Sequence, residues 1–267
     1  MANHTYVITA TNHKGGCGKT STIVNLAAEL ARQGKSVIVI DLDPQGNASS
    51  HINLINPSEL HVTVVDLLKD GTPEKLLSVI QEETRIPGVS LIPATQSLLS
   101  IAEENKLSKL HQGKQAFNLL SRIISPLEGI YDYILIDTAP NLGILTANAL
   151  EASTHYIVPV QSGSVYSIEG LAGLSAFIES IKKLNSRLKP LGILFTDYNE
   201  RQRADRLTKN VITEIQKGKL PIIPIEIVSS TIVDFAALNK KALYQLDDSS
   251  QVAKSFHRLA IWVDKNI

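Results

Sequence analysis

The sequence predicts an α/β fold: a doubly wound, mostly parallel sheet flanked by helices. Three observations predict it. Short apolar runs rich in β-branched residues recur along the chain. Helical runs separate most of them. One glycine-rich strand-to-helix junction carries Gly18-Lys19-Thr20. Strands covered on both faces lose the alternation of apolar and polar residues. Continuous runs such as Val37-Ile38-Val39-Ile40 and Tyr133-Ile134-Leu135-Ile136 therefore point to a parallel sheet between helices.

The strands expected are 6–11, 36–41, 89–94, 132–137, 155–160, 191–196 and 222–228. Helical periodicity spans 19–33, 115–125, 144–151, 168–185 and 203–216, with closing helices near 234–242 and 249–265. Residues 51–110 are the least regular part. No Ser/Pro/Gly-rich linker divides the chain, so residues 1–267 are read as one domain. Val252, Phe256, Leu259, Val263 and Ile267 recur at helical spacing, as expected of a helix that packs on a core.

Composition sets limits. Apolar residues make up 43% of 267, enough for a sizeable core. The single cysteine, Cys17, leaves no disulfide within the chain and no Cys-x-x-Cys metal site. It reads as a small residue shaping the loop. A thiol at a helix N-terminus also has a lowered pKa, which raises a redox switch as an alternative. There is no secretory leader and no apolar stretch long enough to span a membrane, so a cytoplasmic protein is expected. Net charge is zero but unevenly spread. Residues 182–219 hold ten basic residues against four acidic ones. That segment reads either as a solvated helix face or as a polyanion-binding patch including Arg201, Arg203, Arg206 and Lys209.

The candidate site is a phosphate cradle, Lys14-Gly15-Gly16-Cys17-Gly18-Lys19-Thr20-Ser21. Glycines let successive N–H groups point inward at phosphate oxygens. Lys19 is placed to reach the β- and γ-phosphates, and the Thr20 hydroxyl to ligate Mg²⁺. The usual pattern has a glycine six residues before the lysine; here that residue is His13. Two strands deliver carboxylates to the same sheet edge: Asp41 and Asp43 after 36–40, and Asp137 after 132–136. Asp137 fits a metal-holding carboxylate. Asp41 and Asp43 fit water orientation or support of the metal shell.

Lys14 to Thr20 resembles the deviant Walker A box of the ParA/MinD group of ATPases. Asp41-Leu42-Asp43-Pro44-Gln45-Gly46-Asn47 resembles the segment of ParA-type partition proteins. Tyr131 to Asp137 and Leu142 to Leu150 resemble that group's Walker B strand and following helix, and Pro159-Val160-Gln161 with Glu169-Gly170-Leu171 extends the match. The similarity covers about residues 6–200. It implies ATP and Mg²⁺ as cofactors and a homodimer closed around ATP, with Lys14 reaching the partner's phosphates. It also implies Asp43 positioning the hydrolytic water, Asp41 near the metal, and Ser21 near the α-phosphate. A ParB-like or other activating partner, nonspecific DNA, and a nucleoid-associated location without membrane are the further implications. The cargo is a plasmid or chromosome, or alternatively a protein body such as a carboxysome or chemoreceptor cluster. Division-site selection at a membrane and a metabolic synthetase of the same fold are the other classes. Many relatives carry Pro-Arg-Asn and a further Arg after the last strand. Here the stretch reads Val228-Ser229-Ser230-Thr231-Ile232-Val233-Asp234, which leaves the usual DNA surface and the adenine contacts unassigned.

Overall fold

In the computed structural model, residues 4–56, 59–102, 116–163 and 166–267 are described. Six parallel strands form one sheet in the order β3-β2-β4-β1-β5-β6. They are β1 (Tyr6–Ala10), β2 (Val37–Leu42), β3 (Val89–Ile92), β4 (Tyr133–Thr138), β5 (His155–Gln161) and β6 (Lys189–Thr196). The helices that concern the site are α1 (Lys19–Arg32), α2 (Asn47–Ile52), α3 (Val64–Asp70), α4 (Pro73–Val79), α5 (Leu99–Ala102) and α6 (Leu119–Ile124). They continue as α7 (Ile144–Ala152), α8 (Tyr166–Lys182), α9 (Arg203–Gln216), α10 (Ile232–Leu238), α11 (Leu243–Asp247) and α12 (Gln251–Asn266).

The strands are apolar on both faces because each face meets its own helical layer. Ile8, Val37, Val39, Tyr133 and Leu135 point into a core completed by α1 and α12. Their neighbours Val7, Ile38, Ile40, Ile134 and Ile136 point the other way, into a core built with α3, α6 and α7. A third cluster joins α7, α8 and Ile212 of α9 to β5 and β6. Val252, Phe256, Leu259 and Val263 are buried in the first core. The stripe of the last helix therefore packs inward, on α1.

Residues 222–228 do not form a seventh strand. They lie extended beside β6 but touch it only through isolated bridges, Ile193 to Ile222 and Tyr198 to Val228. Ile223 donates to the Ile193 carbonyl, and Ile227 to that of Phe195, both at 2.9 Å. Ile223 and Ile227 are four residues apart while Ile193 and Phe195 are two apart, so the segment slips out of register between its two contacts. The helix expected at 234–242 runs instead from Ile232 to Leu238, and Lys240 turns left-handed (φ 54°) just beyond its end. Of the helix expected at 115–125, residue 115 lies outside the described residues, and the rest is helical from Leu119 to Ile124.

Leu259 is fully buried, whereas Leu238 is 80% exposed. Leu259→Ala should lower the unfolding free energy by about 2–5 kcal/mol. Leu238→Ala should change it by less than about 0.5 kcal/mol. Urea titrations of the two variants beside wild type check both values.

Candidate nucleotide site

The chain passes from β1 to α1 through a loop tied to two other strands. The buried Asn12 amide donates to the Pro159 carbonyl of β5 at 2.8 Å, and its oxygen accepts from Lys14 N at 3.1 Å. The Thr196 hydroxyl, ending β6, donates to the Cys17 carbonyl at 3.0 Å. His13 lays its ring on Gly170 of α8, where a Cβ would sit 2.2 Å from the imidazole. Gly16 and Gly18 are left-handed, with φ of 71° and 83°. Gly18 also faces Thr196, which an added Cβ would meet at 3.3 Å. Gly15 and Gly16 are exposed, with open space around them.

Within this loop Lys19 is buried, and its ammonium donates to the Lys14 carbonyl at 3.0 Å. Lys14 is half-buried at the loop's start. Cys17 is buried, and its Sγ donates to that same carbonyl at 3.2 Å. Burial pushes the Cys17 thiol up, against the lowering effect of Lys19. The lowered pKa that would serve a redox switch is thus reversed: desolvation outweighs the Lys19 charge and the hydrogen bonds to the sulfur.

The register of the sheet gathers the carboxylates. β4 lies between β1 and β2, so Asp137 stands opposite both Ala10 and Asp41. Thr20 at the start of α1 donates to Asp137 Oδ2 at 2.6 Å. Asp137 Oδ1 is buried without a hydrogen-bond partner. Burial drives the Asp137 carboxyl well above its usual range, and the neighbouring Asp41 charge adds to this. Asp41 is driven up by burial too, but donors hold it back. Its oxygens accept from Asp43 N at 2.9 Å, Ser49 N at 2.8 Å and Ser49 Oγ at 2.7 Å. Asp41 thus braces the turn that carries Asp43 and the start of α2. Asp43 is nearly buried and accepts from Gln45 N at 2.9 Å.

These residues fit Mg²⁺. A hydroxyl and a carboxylate lie together, and the carboxylate's second oxygen lacks a partner. Among the described residues, no three His, Cys, Asp or Glu side chains converge as a metal cage. Mg²⁺ keeps several waters and takes only one or two carboxylates beside substrate phosphates. A small donor set suits it.

A cavity of about 290 Å³ opens beside Gly18 and Ser21, lined further by Asp197, Val228, Val233 and Asp234. A shallower cleft of about 520 Å³ runs from Thr20 and Ser21 past Asn47 and Ser50 to Leu238. Sequence reasoning missed both, because their walls come from segments far apart in the chain. One local sign is the left-handed Asp197 (φ 52°) at the end of β6. Of the expected DNA contacts, Arg201, Arg203 and Arg206 are exposed at or before the start of α9. Lys209 is instead ion-paired with Glu226 and lies over the Tyr198 ring.

Backbone amides around two left-handed glycines, with a buried lysine at the mouth of a helix, have the shape a phosphate cradle requires, and the surrounding parallel sheet is that of the P-loop NTPases. No described helix is long and apolar enough to cross a membrane. The family profile described as "AAA domain" matches residues 5–190. The chain is 38% identical over 212 residues to "Sporulation initiation inhibitor protein Soj" of Bacillus subtilis, covering 79% of each. It is 41% identical to "Chromosome-partitioning ATPase Soj" of Thermus thermophilus, covering 73% of this chain and 70% of that one. It thus belongs to the ParA/Soj family of partition ATPases. Cobyrinic acid a,c-diamide synthase of Mycobacterium smegmatis, solved with ADP and magnesium, shares 28% identity at a TM-score of 0.79, over 96% of this chain and 93% of that one. Cyanothece McdA with ATP shares 21% at 0.82, over 98% and 97%, and so shares the fold.

Gly18→Ala should cost about 1–2 kcal/mol of stability, from the left-handed backbone and the contact with Thr196. Gly173→Ala, in the open on α8, should be neutral or stabilising by about 0.5–1 kcal/mol. Paired denaturation curves distinguish the two.

Proposed function

We propose that this chain is a Mg²⁺-dependent ATPase that closes into an ATP-sandwiched homodimer and drives segregation of plasmid or chromosomal DNA. The observation that carries the ATPase reading is the Thr20–Asp137 contact, with an orphaned carboxylate oxygen beside the cradle. The partition names of relatives at 35–41% identity support the cargo.

In this reading the N–H groups of Gly15, Gly16, Cys17 and Gly18 wrap the phosphates. Lys19 leaves the Lys14 carbonyl for a phosphate oxygen, and the Ser21 hydroxyl meets the α-phosphate. Thr20 and Asp137 hold Mg²⁺, with Asp41 behind them. The metal supplies charge neutralisation across the β- and γ-phosphates. Asp43 orients the attacking water from the turn that Asp41 fixes. Lys14 sits on the same loop and adds charge to the phosphates of a second copy. The base enters the 290 Å³ cavity, where the carboxylates of Asp197 and Asp234 can accept from the adenine amine. A ParB-like partner stimulates slow turnover, and the protein works in the cytoplasm on the nucleoid. A second reading, positioning of a protein cargo, draws on the ion pair that removes Lys209 from the DNA patch.

Lys19→Ala should abolish nucleotide binding. Asp43→Ala should bind ATP within about threefold of wild type yet lose about 10²-fold or more in turnover. Lys14→Ala should bind as a monomer and fail to dimerise. Nucleotide titration, phosphate release and light scattering with a slow ATP analogue check the three. Wild-type turnover in Asp43→Ala, or one mass in all nucleotide states, contradicts the scheme.

The ATP-bound protein should bind duplex DNA of any sequence, with affinity falling steeply as salt rises. Arg203→Glu with Arg206→Glu should weaken this about tenfold or more and spare ATP binding. Indifference of the ATP-bound protein to DNA at low salt, measured by fluorescence anisotropy, favours the protein-cargo reading.

A further inference from the structure

Helix α9 carries its polarity the wrong way round for a surface helix. Asp205, Thr208 and Gln216 are buried beneath it, and among its apolar residues only Ile212 joins them. Leu207, Val211 and Ile215 are instead 51%, 42% and 45% exposed. The inward polar face has a partial explanation. The Asp205 carboxylate accepts from Asn199 N at 2.7 Å and so holds the turn after β6. Ile212 alone belongs to the aliphatic cluster with α7, α8, β5 and β6. Nothing in that packing accounts for the three aliphatics outside.

Leu207, Val211 and Ile215 are spaced by four, so they form one row on the helix, about 12 Å long at 1.5 Å per residue. A single exposed aliphatic is ordinary, whereas a contiguous row marks an interaction surface. Charge frames the row. Arg203 lies four residues before Leu207, with Arg206 beside it, and Lys217 and Lys219 follow the other end. All four are exposed, and the nearby exposed acids are Glu200 and Glu214.

We propose that this row docks an amphipathic helix of a partner protein, one with an aliphatic edge bordered by acidic residues. A helix matches a four-residue row better than a strand, whose side chains repeat every two residues. Acidic borders match the cations at both ends of the row. A bilayer fits worse: α9 has its other face in the core, and Asn210 and Glu214 flank a row of only three aliphatics. DNA can use the cations but gains nothing from the aliphatics. The docking face lies outside the nucleotide site, so it can be tested whether or not the ATPase scheme holds.

The test is a selection of short helical peptides from a display library against the full chain with ATP present. Affinities are then measured for wild type, for Leu207→Ser with Val211→Ser, and for Lys217→Glu with Lys219→Glu. The selected peptides should carry aliphatics at four-residue spacing bordered by Asp or Glu. They should bind the double-serine variant about tenfold or more weakly, and the charge-reversed variant several-fold more weakly. Both variants replace exposed side chains, so ATP binding should be unchanged. The proposal is overturned if the peptides bind the double-serine variant as tightly as wild type, or if acidic residues are not enriched. It is also overturned if no peptide is selected while phosphatidylglycerol vesicles bind wild type and not the double-serine variant.

Discussion

Everything at this site depends on β4 being paired between β1 and β2. That pairing sets Asp137 opposite Asp41 in register, and both are fully buried. Two carboxylates in a low-dielectric interior cannot both stay ionised without compensation. Asp41 is compensated by protein donors, from Ser49 and from the backbone of Asp43. Asp137 has only the Thr20 hydroxyl and the more distant Lys19 charge. The asymmetry sets the two apart: one carboxylate belongs to the scaffold, and the other keeps an oxygen without a partner.

The cradle is held from the far side of the sheet as well. Asn12 ties it to β5, Thr196 ties it to β6, and His13 rests on α8. β6 then continues into Asp197, which walls the cavity beside Gly18, and into the turn that Asp205 fastens to α9. The cavity wall and the first turn of α9 therefore follow from the end of β6, and the loop meets that same end through Thr196.

The sequence was most legible where the signal is local. Apolar runs located the six strands, and the Gly18-Lys19-Thr20 junction located the turn from β1 into α1, because both depend on neighbouring residues. Residues 222–228 misled because an apolar run does not show that its register slips against β6, four residues standing opposite two. Cys17 reads as a small loop-shaping residue and lies buried in that loop; only the redox alternative fails, because the burial that raises the thiol is tertiary. Lys209 counted as a free charge until folding brought Glu226 to it, from 17 residues along the chain. The row on α9 was present in the periodicity. A tally of lysines and arginines hid it, since net charge says nothing about which residues face outward.

The stretch 228–234 carries no arginine, and its position gives its one charge, Asp234, a physical consequence. Asp234 lines both the cavity beside Gly18 and the cleft beyond Thr20, and Ser21 lines both with it. The only charge of this segment is thus negative, at the join between two openings. Asp197 and Asp234 add to the carboxylates at the strand ends, against Lys14, Lys19 and, in the cleft, Lys240. A bare triphosphate brings further negative charge into that balance. A divalent ion beside Asp137 reverses the local sign, which ties occupancy by nucleotide to occupancy by metal more tightly than in a site rimmed by arginine.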